Sequence, residues 1–146
     1  MRAVLDASLI VAAVWTRNPQ SASRIVLTAA AAGAFEPVIT DEIETEYRDV
    51  LARDKLRRGP SEGARRVAVR IMEALVAVAD RVDPAPGVRV IESDPKDDKY
   101  VAAALGGAAE YVVTLDRRHM LALGVHRGIR FVTPGDFLSV LRSSAP

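Results

Sequence analysis

Asp6 and Asp116 each close a short apolar run, Ala3-Val4-Leu5 and Tyr111-Val112-Val113-Thr114-Leu115. Runs of this kind read as buried strands of a parallel sheet. Each would deliver its carboxylate just past the strand's C-terminal end, where open α/β sheets form their ligand crevice. Two carboxylates aimed into one crevice repel each other unless they share a proton or hold a cation. Their placement therefore points to an acidic metal site. Both aspartates also have a plainer reading, as N-caps of a following helix. Ser8 can serve that purpose after the first run, which leaves Asp6 available for chemistry.

Other acids fall where they can join the pair. Glu42, Glu44 and Glu46 share one expected helix. Glu42 lies in its first turn, where the helix dipole favours an acid. Glu44 points to solvent, and Glu46 flanks the apolar face. Asp94, Asp97 and Asp98 form the densest acidic cluster. Asp94 reads as a helix cap and Asp97 as its capping-box partner. Asp98 has no capping duty and lies in line with Val101, Ala102 and Leu105, so it needs a partner there and is the stronger ligand candidate. Thr114 is placed to orient a metal-bound water. An all-oxygen donor set suits Mg²⁺ or Mn²⁺. With no cysteine and only two histidines, zinc ligation is poorly supplied. His119 reads as a surface residue near a helix start and is left outside the metal shell. Two hard cations held by such acids can activate water and stabilise the leaving oxygen of a phosphodiester. No GxxxxGK[ST] loop, GxGxxG turn or Ser-His-Asp arrangement is present.

Basic residues supply a candidate substrate path. Arg53, Lys55, Arg57 and Arg58 lie in one connector, and Arg117 and Arg118 adjoin Asp116. Arginine suits planar recognition of phosphate, which grips a nucleic-acid backbone without reading its sequence. The competing reading is a solvated face of an arginine-biased protein. The net charge of +1 gives the whole molecule no strong field for polyanions. The absence of cysteine fits a reducing cytoplasm. Asp6 interrupts the apolar stretch near the N-terminus, which argues against a signal peptide. No apolar run approaches the roughly 18 residues of a membrane span, so a cytoplasmic protein without membrane contact is expected.

At 146 residues and 49% apolar content, the chain fits one domain with a real core. That domain is expected over residues 1–142, with 143–146 as a short tail. Strands at Ala3–Leu5, Pro37–Ile39, Val88–Ile91, Tyr111–Thr114 and Ile129–Val132 alternate with helices. The helices are Ser8–Val14, one from Ser21 or Ser23 to Gly33, Asp41–Leu51 capped by Thr40, one opened by Pro60-Ser61, one from Asp94-Pro95 to Gly106, and one after Thr133. The helix after Ser61 is expected to bury Val67, Ile71, Leu75 and Val78. Regular alternation argues for a three-layer α/β/α sandwich with a five-stranded, mostly parallel sheet.

The chain resembles the PIN-domain family, and within it the VapC-type toxin ribonucleases. The resemblance rests on Val4-Leu5-Asp6-Ala7-Ser8, on Thr40 to Leu51, on Asp94-Pro95-Lys96-Asp97-Asp98-Lys99-Tyr100-Val101, on Val112-Val113-Thr114-Leu115-Asp116 and on the closing Val132 to Leu138. It implies a Mg²⁺- or Mn²⁺-dependent endoribonuclease acting on single-stranded RNA, a cognate antitoxin and a homodimer. The family's acids fall on Asp6, Glu46, Asp98 and Asp116, with Asp97 as the alternative to Asp98. Ser8 stands where many members carry Asn. The remaining alternatives are a catalytically degenerate domain that binds RNA or protein, a haloacid-dehalogenase-type phosphatase and a receiver-type signalling domain. Ser8 stands where the phosphatase needs a second Asp, and Thr133-Pro134 where the receiver needs a lysine.

Overall fold

The computed structural model describes residues 1–53 and 61–144. Strand β1 (Arg2–Leu5) is followed by helices α1 (Ala7–Trp15) and α2 (Ala22–Ala31), then β2 (Glu36–Ile39), α3 (Asp41–Ala52), α4 (Glu62–Val78) and β3 (Asp80–Arg81). A 3₁₀ turn at Pro95–Asp97 leads into α5 (Asp98–Gly106) and β4 (Tyr111–Val113). A hairpin of β5 (Val125–His126) and β6 (Ile129–Val132) then precedes α6 (Pro134–Ser144).

The sheet order is β3-β2-β1-β4-β6-β5, parallel except for the β5–β6 hairpin. Helices flank this mixed α/β sheet, with α1 to α4 packed on one another and α5 lying across β1, β2 and β4. Among the described residues six strands form where five were expected. Residues 88–91 are not a strand. The Asp98 side chain accepts the N–H groups of Val90 and Ile91 at 3.1 and 2.8 Å, so these donors are satisfied without a ladder. The third strand is instead Asp80–Arg81, two polar residues that pair with Val38 and Ile39. Arg2 fastens this edge: its guanidinium reaches Glu36 at 2.8 Å, Asp80 at 2.6 Å and the Gly107 carbonyl at 2.8 Å.

Local signals place most other elements. Ser21, Thr40 and Ser61 cap their helices by accepting the N–H groups of Arg24, Ile43 and Ala64. Helix α3 buries Ile43, Tyr47, Val50 and Leu51, as its spacing predicts. Helix α4 buries Ala68, Met72 and Leu75, while Val67 and Val78 are exposed. Its buried face is thus turned by one residue at its start, because Ala68 and Met72 fit the close contact with α2. Glu44 is part exposed but paired rather than free in solvent: Arg48 and Arg81 both bind it and hold its carboxyl below the usual range. Helix α6 extends to Ser144, so the expected tail begins helical. No helix among the described residues is long and apolar enough to cross a membrane.

Candidate metal centre

The strand order reverses its direction of growth between β1 and β4, and the carboxyl ends of two such neighbours are where open α/β sheets place a ligand crevice. Asp6 follows β1 directly. Its N–H still donates to the Val113 carbonyl at 2.9 Å, so the ladder itself fixes where its side chain leaves the sheet. That side chain is 6% exposed and makes no capping bond to α1. Ser8 and Thr114 hydroxyls instead both donate to its Oδ2 at 2.7 Å. Thr114 Oγ1 also accepts the Asp116 N–H at 3.0 Å, and Ser8 Oγ accepts the Leu115 N–H at 3.2 Å. These two hydroxyls stitch the ends of β1 and β4 together around one carboxylate oxygen. Burial raises the Asp6 pKa, and the hydroxyl donors oppose that rise.

Beneath this pair lie two buried tyrosines. Tyr47 donates to the Leu5 carbonyl at 2.5 Å, and the Tyr100 hydroxyl accepts the Ala7 N–H at 3.2 Å. Both phenols are held neutral, by burial first and by the nearby Asp6 charge second. They close the floor of the crevice with neutral groups.

The start of α5 separates the two adjacent acids. Asp98 turns to the 88–91 segment, where its Oδ1 accepts two backbone N–H groups. Asp97 turns into the crevice. Its pKa is pushed up to about 7, by burial first and then by the charges of Asp6, Asp94 and Asp116. The expected capping box does not form: neither Asp94 nor Asp97 makes a side-chain cap bond. Both carboxylates are left free for the crevice.

Asp116 opens a turn rather than a helix. Its Oδ1 accepts the N–H groups of Arg118 and His119 at 3.1 Å each, and its Oδ2 lies 3.2 Å from His119 Nδ1. This bond brings His119 to the site that sequence reasoning denied it. Ligand atoms of Asp94, Asp97 and His119 lie within 4.8 Å of one another, close enough to hold one cation. The Asp-x-x-His spacing of Asp116 and His119 is a weak signal that sequence reasoning passed over. Glu46 lies on α3 at the side of the crevice. Lys99 Nζ stands 3.5 Å from one of its oxygens and Arg53 3.8 Å from the other. Arg117 and Arg118 are exposed beside Asp116. Lys55, Arg57 and Arg58 lie outside the described residues.

The donor set is rich in carboxylate oxygen, with one imidazole and no thiolate. Such a set fits a hard divalent cation of the Mg²⁺ or Mn²⁺ type.

Comparison with known proteins agrees with this architecture. A family model described as the PIN domain matches residues 2–118. The crystal structure of PAE2754 from Pyrobaculum aerophilum superposes with a TM-score of 0.64 at 18% identity, covering 99% of this chain and 91% of that one. At that identity the likeness concerns the fold. No curated protein matches the chain in sequence.

Proposed function

The chain belongs to the PIN-domain family, and from that premise we propose that it is a Mg²⁺- or Mn²⁺-dependent endoribonuclease hydrolysing phosphodiester bonds of single-stranded RNA. The observation that carries this reading is the crowding of Asp6, Asp97 and Asp116 at the ends of β1 and β4. Burial first, and then the charges of Asp6, Asp94 and Asp116, raise the Asp97 pKa to about 7, and a divalent cation would relieve the charge repulsion. Asp97 would hold the ion with Asp6 and Asp116, and Asp94 and His119, whose ligand atoms lie within 4.8 Å of one another and of Asp97, would adjoin it, with Glu46 at the margin. Asp97 takes the place first given to Asp98, whose accepting oxygen is spent on Val90 and Ile91.

When bound, such an ion supplies an acidified water and offsets charge on a phosphate. The chain's own groups do the rest. Ser8 and Thr114 hold Oδ2 of Asp6 and so fix the orientation of this carboxylate. The position where many family members carry Asn is therefore filled by a hydroxyl that orients the first acid. Asp116 fixes the His119 ring through Nδ1, leaving Nε2 to exchange a proton at the crevice mouth. Arg117 and Arg118 grip phosphates of the strand, as does Arg53 on the other side.

The biological setting that goes with this reading is a cytoplasmic toxin, homodimeric and silenced by an antitoxin. Its support is the resemblance to VapC-type proteins, and an antitoxin-like gene immediately upstream would strengthen it. The enzymatic reading is tested by incubating a single-stranded RNA with the protein and Mn²⁺ or Mg²⁺. Cleavage by the wild type is expected to fall at least a hundredfold in Asp6→Asn and Asp116→Asn. Unchanged cleavage in both variants would reject the site.

A further inference from the structure

Glu46 differs from the other acids of the crevice because both of its oxygens already face cations. Lys99 Nζ lies 3.5 Å from Oε2, and Arg53 lies 3.8 Å from Oε1. The two contacts are unequal. The Lys99 side chain is 13% exposed, whereas that of Arg53 is 61% exposed and screened by water. Lys99 is also fixed by its position. It sits on the first turn of α5, two residues beyond Asp97, with its ammonium 5.9 Å from the centre of the Tyr100 ring. Asp6, Asp97 and Asp116 have no such cation among the described residues; Asp116 has only the His119 ring.

We propose that Lys99 is a positioning residue that competes with the metal ion for Glu46. Glu46 is then a late ligand. It stays on Lys99 while Asp6, Asp97 and Asp116 take the first ion, and it turns inward only when the ammonium finds another anion. A substrate phosphate is such an anion, since Lys99 also lines the cleft of about 810 Å³ that runs beside the 95–99 turn. The phosphate would draw Lys99 away and release Glu46 to the ion, which ties completion of the metal shell to the arrival of RNA. This inference rests on the metal-dependent reading above.

Calorimetric titration with Mn²⁺ tests it without reference to turnover. Freeing Glu46 to reach the ion adds a carboxylate to the cation's shell and should tighten binding by about three- to tenfold in Lys99→Met. Glu46→Gln alone should change the affinity by less than about twofold, because Lys99 already occupies that carboxylate. In the double variant the gain from Lys99→Met should vanish, and Lys99→Arg should stay near the wild type. RNA cleavage should show the other half, with KM raised more than kcat is lowered in Lys99→Met. A Lys99→Met protein that binds Mn²⁺ no more tightly overturns the inference. So does a gain that persists in the double variant, which would mark a general field effect rather than competition for Glu46. Wild-type protein that takes up no Mn²⁺ overturns the metal-dependent reading itself, and the inference with it.

Discussion

Asp97 concentrates the electrostatics of the crevice in one side chain. An aspartate in the unfolded chain titrates near 3.9, and burial together with Asp6, Asp94 and Asp116 moves it to about 7 in the fold. Because the folded value is raised, protonated Asp97 favours the native state. The metal-free protein is therefore most stable on this account at or below about pH 4, and it loses that contribution as pH rises toward 7. A cation needs the carboxylate, so the dependence of binding is opposite in sign. Mn²⁺ affinity should climb between about pH 5 and 7 and flatten above, with release of a proton that calorimetry in buffers of different ionisation enthalpy will count. Asp97→Asn should flatten that slope and weaken binding. A pH-independent affinity in the wild type would contradict the assignment. Thr114→Val removes one of two hydroxyls from Asp6 Oδ2 and should cost about 1–3 kcal/mol in urea denaturation. Asp6 and Asp116 are legible in the sequence because each ends an apolar strand. His119 is not, since its role comes from a turn that folds it back onto Asp116, and the choice between Asp97 and Asp98 depends on the rotation of a single helical start.

Helix α5 and the segment before it carry the largest departure from the sequence reading. Val88-Arg89-Val90-Ile91 alternates like a strand, yet its donors go to a side chain. The true edge strand, Asp80–Arg81, is short and charged, and no hydrophobic periodicity marks it. Its place is set by Arg2, Glu44 and Asp41, all partners distant in sequence. Capped helices such as α3 were legible by contrast, because Thr40 and the Ile43–Tyr47–Leu51 spacing act locally. The two faces of the α5 start predict a clean separation of effects. Asp98→Ala should lower unfolding stability by about 1–3 kcal/mol, through two part-buried N–H groups left without an acceptor, while keeping Mn²⁺ binding in the folded fraction. Asp97→Asn should do the reverse. Gly106 closes the opposite end of α5 against the 83–85 segment, since a Cβ there would lie 2.1 Å from the Asp83 carbonyl oxygen. Gly106→Ala should therefore cost about 1–3 kcal/mol as the backbone shifts to make room.

At the scale of the molecule, the sheet order brings two strands distant in sequence side by side, so that the proposed site of residues 6, 46, 97 and 116 would exist only in the folded chain. Any cation held there stabilises the native state by mass action, about 2.7 kcal/mol at a hundredfold excess over Kd. For a domain of this size that corresponds to a rise in Tm of roughly 5–10 °C, which Asp6→Asn should abolish in a thermal melt. A net charge of +1 provides little long-range attraction for a polyanion, so on the proposed reading RNA binding would depend on the arginines around the crevice. The mostly parallel α/β architecture was readable from the alternation of apolar runs. The pairing of edge elements was not, because it follows from contacts rather than from pattern.

The most direct test of the central claim is cleavage of a single-stranded RNA in Mn²⁺ by the wild type, Asp97→Asn and Asp98→Asn, each checked for folding. Metal-dependent cleavage by the wild type and by Asp98→Asn, with loss of at least a hundredfold in Asp97→Asn, is the predicted result. Equal cleavage by Asp97→Asn and wild type, or cleavage undiminished by removal of the metal, would contradict it.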